Sequence, residues 1–389
     1  MYRIGQEEIN AVASAINERS LFKANDRLQL YRQAEEKMNE LMGSKYGIIM
    51  TSGHAAIESA LVAAGIGPGD QVIVPAYTYI ATAMAVISAG AIPVLCDIDE
   101  TLTMDPRDFE ARITKHTKAV IPVHIQGFPC KMDEICAIAK KHGIAVIEDA
   151  CQADGARYKG KRLGTWGDAG AYSFNFFKII TAGEGGGLVT DNRLIFENAN
   201  IYHDSSAIAY FGNQMENYTA TSFCGKEYRS NEISCAILLE QLARLDGIIA
   251  DLKKNQTALR ERLAPYCRFA PSNDLEGDLG TTVAVRFETE EEARRFATSE
   301  GVNCGLPIDT GKHVYTNWSC IIEKKGALHP LMDPFRFEAN KDIIPEYTAE
   351  TCKRTLDILS RTVYISINPD WTEQELEERA NTLIAGLKR

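Results

Sequence analysis

Between about residues 44 and 190, short apolar runs alternate with stretches whose apolar residues recur at helical spacing. Gln71-Val72-Ile73-Val74-Pro75 reads as a buried strand, as do 91–96, 118–123 and 144–149. Helical patterns at about 54–64, 78–89 and 131–142 lie between them. Gly65, Gly90 and Gly143 each follow a helical run, where a left-handed cap is wanted. Strand and helix alternating in this way predict a parallel or mostly parallel sheet covered by helices on both faces. In such sheets functional groups collect at the carboxyl ends of the strands. The acids of Asp97-Ile98-Asp99-Glu100 and Glu148-Asp149 fall at those ends.

Further along, Leu188-Val189-Thr190 reads as a strand, and a long helical stretch at about 231–263 starts at Ser230-Asn231-Glu232. It is expected to bridge to a second domain with a strand at 281–287, a helix at 289–300, a strand at 363–367 and a terminal helix at 372–387. An opening helix at about 5–18 precedes the main sheet. The pattern therefore predicts an α/β chain in two parts. Residues 1–247 form an N-terminal strap and a large domain with a mostly parallel sheet between two helical layers, and 248–389 form a smaller α+β domain.

Charge and composition narrow the function. The chain has 389 residues, of which 42 are basic and 53 acidic, a formal net charge of −11. That balance disfavours a nucleic-acid or anionic membrane surface, although a local basic pocket can still hold one small anion. No apolar run is long enough to span a membrane. The segment Met1 to Glu8 carries acids where a signal peptide needs a positive region and an apolar block, so a cytoplasmic protein is expected. None of the ten cysteines falls at C-x-x-C spacing, and several, such as Cys96 and Cys235, sit inside apolar or helical runs. With the seven histidines also scattered, the expectation is reduced thiols and no metal site.

Five local features carry candidate chemistry, each with an ordinary alternative. Thr51-Ser52-Gly53-His54 precedes a helix and offers free N–H groups for a phosphate, or simply a Ser52 cap. Tyr77-Thr78-Tyr79 follows a strand, where an aromatic ring can stack on a planar ligand or fill a core. Glu148-Asp149 closes a buried strand, so its acids are either paired or solvated. Lys178 lies among apolar and aromatic neighbours; burial there would favour a neutral, nucleophilic amine, whereas a snorkelling side chain would stay charged. Gly183-Glu184-Gly185-Gly186-Gly187 lacks a dinucleotide-binding spacing and is expected to allow close backbone approach beside the lysine. Together the five fit pyridoxal 5'-phosphate, which needs a lysine for its aldehyde, an acid at its ring nitrogen, an aromatic face and a phosphate cup.

The order Ser52-Gly53-x-Ala55-Ala56, then Glu148-Asp149-Ala150-x-Gln152, then Ser173-Phe174-x-x-x-Lys178-x-Ile180-Thr181-x-Gly183-Glu184-Gly185-Gly186 resembles the DegT/DnrJ/EryC1/StrS family of sugar aminotransferases. The likeness covers most of the chain and is strongest at 46–190. It implies the pyridoxal-phosphate-dependent transferase fold type I. It further implies that Lys178 forms the internal aldimine, Asp149 pairs with the pyridinium nitrogen, Gln152 sits near the phenolic oxygen and Tyr79 stacks on the ring. Ser52, Gly53, His54 and Ser173 would form the phosphate cup, and Glu184 would lie at the substrate mouth. The segment Lys312-His313-Val314-Tyr315-Thr316-Asn317-Trp318 is similar to one near the sugar-binding mouth of some members, in particular a branch acting on a 3-deoxy-octulosonate sugar, and adds His313 and Tyr315 as candidates. An ordinary polar and aromatic surface loop is the alternative.

Three features depart from the family pattern. His54 stands where a threonine is usual, Glu227 stands where an asparagine normally reaches the partner subunit's phosphate, and Arg157-Tyr158 replace a small pair. Glu227 is therefore not expected to be a phosphate ligand. The resemblance implies a homodimer with shared active sites that moves an amino group from glutamate or glutamine to a keto sugar, free, phosphorylated or nucleotide-linked, with pyridoxamine 5'-phosphate as the intermediate. Such chemistry belongs to cell-surface polysaccharide or antibiotic sugar biosynthesis. The alternatives are a related cyclisation or dehydration and a non-catalytic sensor. Lys178 argues against dehydration, because the dehydrating relatives carry histidine there.

Overall fold

Seven strands build the main sheet of this computed structural model, which describes residues 3–23, 27–207 and 217–388. In chain order these are β1 (Tyr46–Met50), β2 (Gln71–Pro75), β3 (Ile92–Cys96), β4 (Thr117–Val120) and β5 (Ala145–Asp149). After a small ribbon, β6 (Arg157–Tyr158) and β7 (Lys161–Arg162), come β8 (Ala169–Ser173) and β9 (Gly186–Thr190). The spatial order is β1-β9-β8-β5-β4-β2-β3. The pairs β2–β3, β2–β4, β4–β5 and β5–β8 are parallel, and β9 alone runs against its neighbours β1 and β8. The sheet is mostly parallel, as the alternating pattern predicts.

Helices cover both faces. On one face α3 (Gly53–Ala63) and α4 (Ala81–Ser88) pack against Ile48, Met50, Val72, Val74, Ile147 and Leu188. On the other, α2 (Leu30–Met42) and α6 (Met132–His142) pack against Ile49, Ile73, Val146 and Val189. Neighbouring strand residues thus enter opposite cores, the two-residue period of a pleated strand buried on both sides. Gly65, Gly90 and Gly143 all have positive φ at the ends of α3, α4 and α6, as the cap reading requires. Helix α1 (Gln6–Asn17) lies along the long helix α8 (Glu232–Leu263), where Glu8 receives the Gln241 amide at 2.7 Å.

The short α5 (Pro106–Ala111) and α7 (Arg193–His203) complete the first part. Helix α8 runs unbroken from Glu232 to Leu263, so residue 247 lies inside it. Beyond it a three-stranded antiparallel sheet joins β10 (Arg268–Phe269), β11 (Thr282–Arg286) and β12 (Thr362–Ser366). Around it lie α9 (Glu290–Ala297), α10 (Ser319–Ile322), α11 (Lys353–Ser360) and α12 (Glu373–Leu387). Val283, Val285, Val363 and Ile365 of the small sheet share a core with Leu252, Leu259 and Leu263 of α8. None of the described helices is long and apolar enough to cross a membrane.

Candidate active site

A cleft of about 630 Å³ opens where the carboxyl ends of the parallel strands meet the small sheet. Ser52, Gly53 and His54 line it from the end of β1, Tyr79 and Thr82 from beyond β2, and Gln126 from beyond β4. Asp149, Cys151, Gln152 and Asp154 follow β5, and Ser173, Asn175 and Lys178 follow β8. Glu184 precedes β9, whose reversed direction brings its amino end to the same side. Thr281, Thr282, Ser366, Lys312 and His313 close the far wall.

The two acids at the end of β5 separate by the pleat of the strand. Glu148 is fully buried and turns away from the cleft. It accepts hydrogen bonds from the backbone N–H groups of Gly164 (2.8 Å), Trp166 (2.5 Å) and Gly167 (2.7 Å). His124 Nε2 lies 3.0 Å from its carboxylate, and the Cys130 N–H donates to His124 Nδ1 at 3.1 Å. The ring proton therefore sits on Nε2 and points at Glu148. Asp149, its neighbour, lines the cleft. Its Oδ2 accepts from Thr82 Oγ1 at 2.7 Å and its Oδ1 from the Cys151 N–H at 3.1 Å. Glu148 is thus a structural ion and Asp149 is the cleft acid.

Ser52 caps α3, its hydroxyl oxygen accepting from the Ala55 N–H at 3.1 Å. That contact leaves the hydroxyl proton, and the N–H groups of Gly53 and His54, without acceptors among the described residues. This is the donor arrangement an anion finds at a helix N-terminus. Two glycines make it possible. A Cβ on Gly53 would lie 2.5 Å from Cys151 Sγ, and a Cβ on Gly186 would lie 2.2 Å from the carbonyl carbon and oxygen of Ser52. Gly186, in the glycine run after Lys178, therefore lets β9 press against the turn that opens α3, so the close backbone approach is to Ser52 and Gly53.

Lys178 is only half-buried. Ile179 and Ile180 are in the core, but Phe176 and Phe177 are 56% and 82% exposed. Of the two readings of this lysine, the structure disfavours full burial on that side: the 175–178 turn faces outward, with the Lys178 N–H on the Asn175 carbonyl at 3.0 Å. Nearby, Asp154 was not singled out by sequence. It is buried, lines the cleft, and its Oδ1 has no hydrogen-bond partner among the described residues. Burial pushes its carboxyl well above the usual range, against the opposing pull of the Lys178 charge.

Gln152 accepts the Gln126 N–H at 3.0 Å, and Gln126 in turn takes the hydroxyls of Thr281 and Thr282 at 2.7 and 3.1 Å. This chain of contacts ties the small sheet to the cleft floor. Glu184 accepts the Asn175 side-chain amide at 2.9 Å. On the far wall, the backbone at 312–314 runs beside 77–80, with the Thr78 and Ile80 N–H groups on the carbonyls of His313 and Lys312. The His313 ring lies 5.5 Å from that of Tyr79. Burial first, then the charges of Lys178 and Lys312, depress its pKa to about 4.

Tyr315 needs correction as a cleft candidate. It is fully buried, and its hydroxyl donates to the Ala349 carbonyl at 2.8 Å, because the Tyr315–Asn317 turn directs it and Trp318 into the apolar core. Glu227 also lines no part of the cleft; its carboxylate pairs with Arg229 at 2.8 Å, and Arg229 pairs with Asp204.

Residues 3–303 match the DegT/DnrJ/EryC1/StrS aminotransferase family. The chain belongs to that family. Among curated relatives, it is 37% identical over 264 residues to the spore coat polysaccharide biosynthesis protein SpsC of Bacillus subtilis, a match covering 67% of this chain and 66% of that one. It is 42% identical over 219 residues to the GDP-perosamine synthase of Caulobacter vibrioides, covering 56% and 57%. A 39% match over 300 residues to a pleiotropic regulatory protein of Geobacillus stearothermophilus covers 73% and 76%. The chain thus spans just under two thirds of the Bacillus relative and well under two thirds of the Caulobacter one. Among solved structures, an aminotransferase from Psychrobacter cryohalolentis superposes with a TM-score of 0.79 at 26% identity over 98% of this chain and 97% of that one. The 3-amino-5-hydroxybenzoic acid synthase has the same TM-score and identity over 100% and 97%. The chain shares the fold of these solved structures over nearly its whole length.

Proposed function

We propose that the cleft holds pyridoxal 5'-phosphate and that the protein is an aminotransferase acting on a keto sugar. The observation that carries this reading is the meeting of Lys178, Asp149 and the uncapped N–H groups of α3 around one cleft. The donor set fits the group. Asp149, oriented by Thr82 and the Cys151 amide, would take the ring nitrogen; Ser52, Gly53, His54 and Ser173 would take the phosphate. Tyr79 would cover the ring, and Gln152 would meet its phenolic oxygen. Lys178 would tether the cofactor through its aldehyde.

When bound, the cofactor supplies an electron sink that stabilises the carbanion left when an α-proton departs. The chain's own residues provide the rest. Lys178 Nζ, when not tethering the cofactor, would take that proton and return it. Asp149 would pair with the ring nitrogen, its carboxylate held in place by the Thr82 hydroxyl. The polar far wall of Thr281, Thr282, Ser366, Lys312 and His313 suits a hydroxyl-rich acceptor. Glutamate or glutamine is the expected donor, and a homodimer the expected assembly.

The reading is tested by incubating the protein and cofactor with single amino acids, then with a panel of free, phosphorylated and nucleotide-linked keto sugars. The expected result is conversion of the cofactor to pyridoxamine 5'-phosphate with release of a 2-oxo acid, followed by an aminated sugar detected by mass. Failure of every amino acid to convert bound cofactor would contradict the aminotransferase reading.

A further inference from the structure

Glu58 is fully buried one helical turn beyond His54 on α3. Its carboxylate gathers donors from three separate parts of the chain. The Tyr202 hydroxyl, from α7, donates to Oε1 at 2.6 Å, and Lys226 Nζ donates to the same oxygen at 2.5 Å. The Tyr228 hydroxyl donates to Oε2 at 2.8 Å, and His54 Nε2 lies 3.4 Å from that oxygen. Burial works to raise the Glu58 carboxyl, but these partners outweigh it and hold its pKa down at about 2. A packing role needs no ion here, since an apolar side chain would fill the space without the desolvation cost of a buried charge.

The other end of this network reaches the cleft. His54 Nε2 is occupied by Glu58 and lies 3.5 Å from Ser88 Oγ, whereas Nδ1 has no partner among the described residues. His54 lines the cleft beside Ser52 and the free N–H groups of Gly53 and His54 itself.

We propose that Glu58 is a positioning residue that holds His54 by Nε2, so that its Nδ1 joins the α3 amides as a donor to the phosphate monoester of the cofactor. This rests on the reading of the cleft as a pyridoxal-phosphate site and adds how that site keeps its phosphate without a hydroxyl at position 54. A ring that donates through both nitrogens is a cation, here set between a buried carboxylate and a phosphate. Tyr202, Lys226 and Tyr228 fix the carboxylate that fixes the ring.

The test compares binding of pyridoxal 5'-phosphate and of pyridoxal, which lacks the phosphate, to the full-length apoprotein. The ratio of the two affinities isolates the phosphate seat, because general misfolding weakens both alike. His54→Ala is expected to lower the ratio at least tenfold, and Glu58→Gln to lower it several-fold. In a His54→Thr background, where a hydroxyl serves instead, Glu58→Gln is expected to change the ratio no further. An unchanged ratio in His54→Ala would overturn the proposal, as would an equal effect of Glu58→Gln in both backgrounds. Wild-type protein that binds pyridoxal but no pyridoxal 5'-phosphate more tightly would also overturn it. Wild-type protein that binds neither would instead overturn the cofactor reading on which the proposal stands.

Discussion

Thr82 Oγ1 donates to Asp149 Oδ2 at 2.7 Å, and Thr78 Oγ1 lies 2.7 Å behind it. The hydroxyl that faces the cleft acid is therefore itself held by a second hydroxyl one turn earlier. Thr82→Val removes the donor without changing shape and leaves Asp149 with its contacts to Cys151, the N–H at 3.1 Å among them. A hydrogen bond to a charged group contributes about 1.5–3 kcal/mol, so kcat should fall at least tenfold with folding intact. Thr82→Ser should restore most of it. Wild-type kcat in Thr82→Val would show that Asp149 needs no such support.

The turn that opens α3 depends on two bare backbone positions. A Cβ at Gly186 meets the Ser52 backbone at 2.2 Å, with no flexible side chain to yield. Gly186→Ala should cost about 1–3 kcal/mol of stability by overpacking, and should weaken cofactor binding beyond that loss. Gly143→Ala, where nothing lies within 4 Å of the added atom, pays only for its positive φ. Thermal unfolding and cofactor titration of the pair distinguish a displaced phosphate seat from a general loss of stability.

His313 provides a pH test inside the cleft. Its pKa of about 4 lies below that of the unfolded chain, where the ring takes its proton near 6.5. Between those values the unfolded state binds the additional proton, so this group's contribution to stability is present above about 6.5 and is lost as pH falls through 4. The ring should stay neutral at pH 6 and titrate near 4 by NMR, and His313→Gln should reduce the stability lost between pH 6.5 and 4. A midpoint near 6.5 would contradict the half-buried placement against Tyr79.

Asp278 works in the opposite direction. Burial raises its carboxyl to about 6 despite the Gly280 N–H, Lys253 and Gln256. Because the unfolded group ionises near 3.8, the folded state holds the extra proton in between, and stability falls as pH rises from about 4 to 6. The shift corresponds to a cost on the order of 3 kcal/mol above pH 6. Asp278→Asn, which can still accept from the Gly280 N–H, should melt higher than wild type at pH 8 and converge with it near pH 4. A gap that widens toward acid would contradict the assignment.

Much of the framework was legible because its signals are local. Gln71–Pro75 is a strand over the same residues as its apolar run, and the Asn231 cap marks the start of α8. Strands β1 and β8 were not read as strands. Ala169-Gly170-Ala171 has no large apolar side chains; its burial comes from its place between β9 and β5, and the Gly164 carbonyl oxygen lies 2.0 Å from where a Cβ on Gly170 would be. Helix α2 did carry a usable signal, since Tyr31, Ala34, Met38 and Met42 share one buried face. At the site, sequence brought the helix start, the strand-end acids and Lys178 to notice. The residue pattern by itself left Glu148 and Asp149 undivided, because which acid faces the cleft follows from the pleat; only the family resemblance singled out Asp149. Asp154 and Glu58 were invisible for another reason: only the folded structure shows a buried carboxylate with one oxygen unpartnered among the described residues, or one with four partners. Tyr315 shows the converse, an aromatic two residues from a cleft histidine that turns into the core.

The central claim is that Lys178 is the residue that tethers the cofactor. Borohydride reduction of the protein with pyridoxal 5'-phosphate, followed by peptide mapping, tests it directly. The account predicts one pyridoxyl label per chain on the peptide carrying Lys178, and no label in Lys178→Ala. A label on another lysine, or stoichiometric labelling that survives Lys178→Ala, would contradict it.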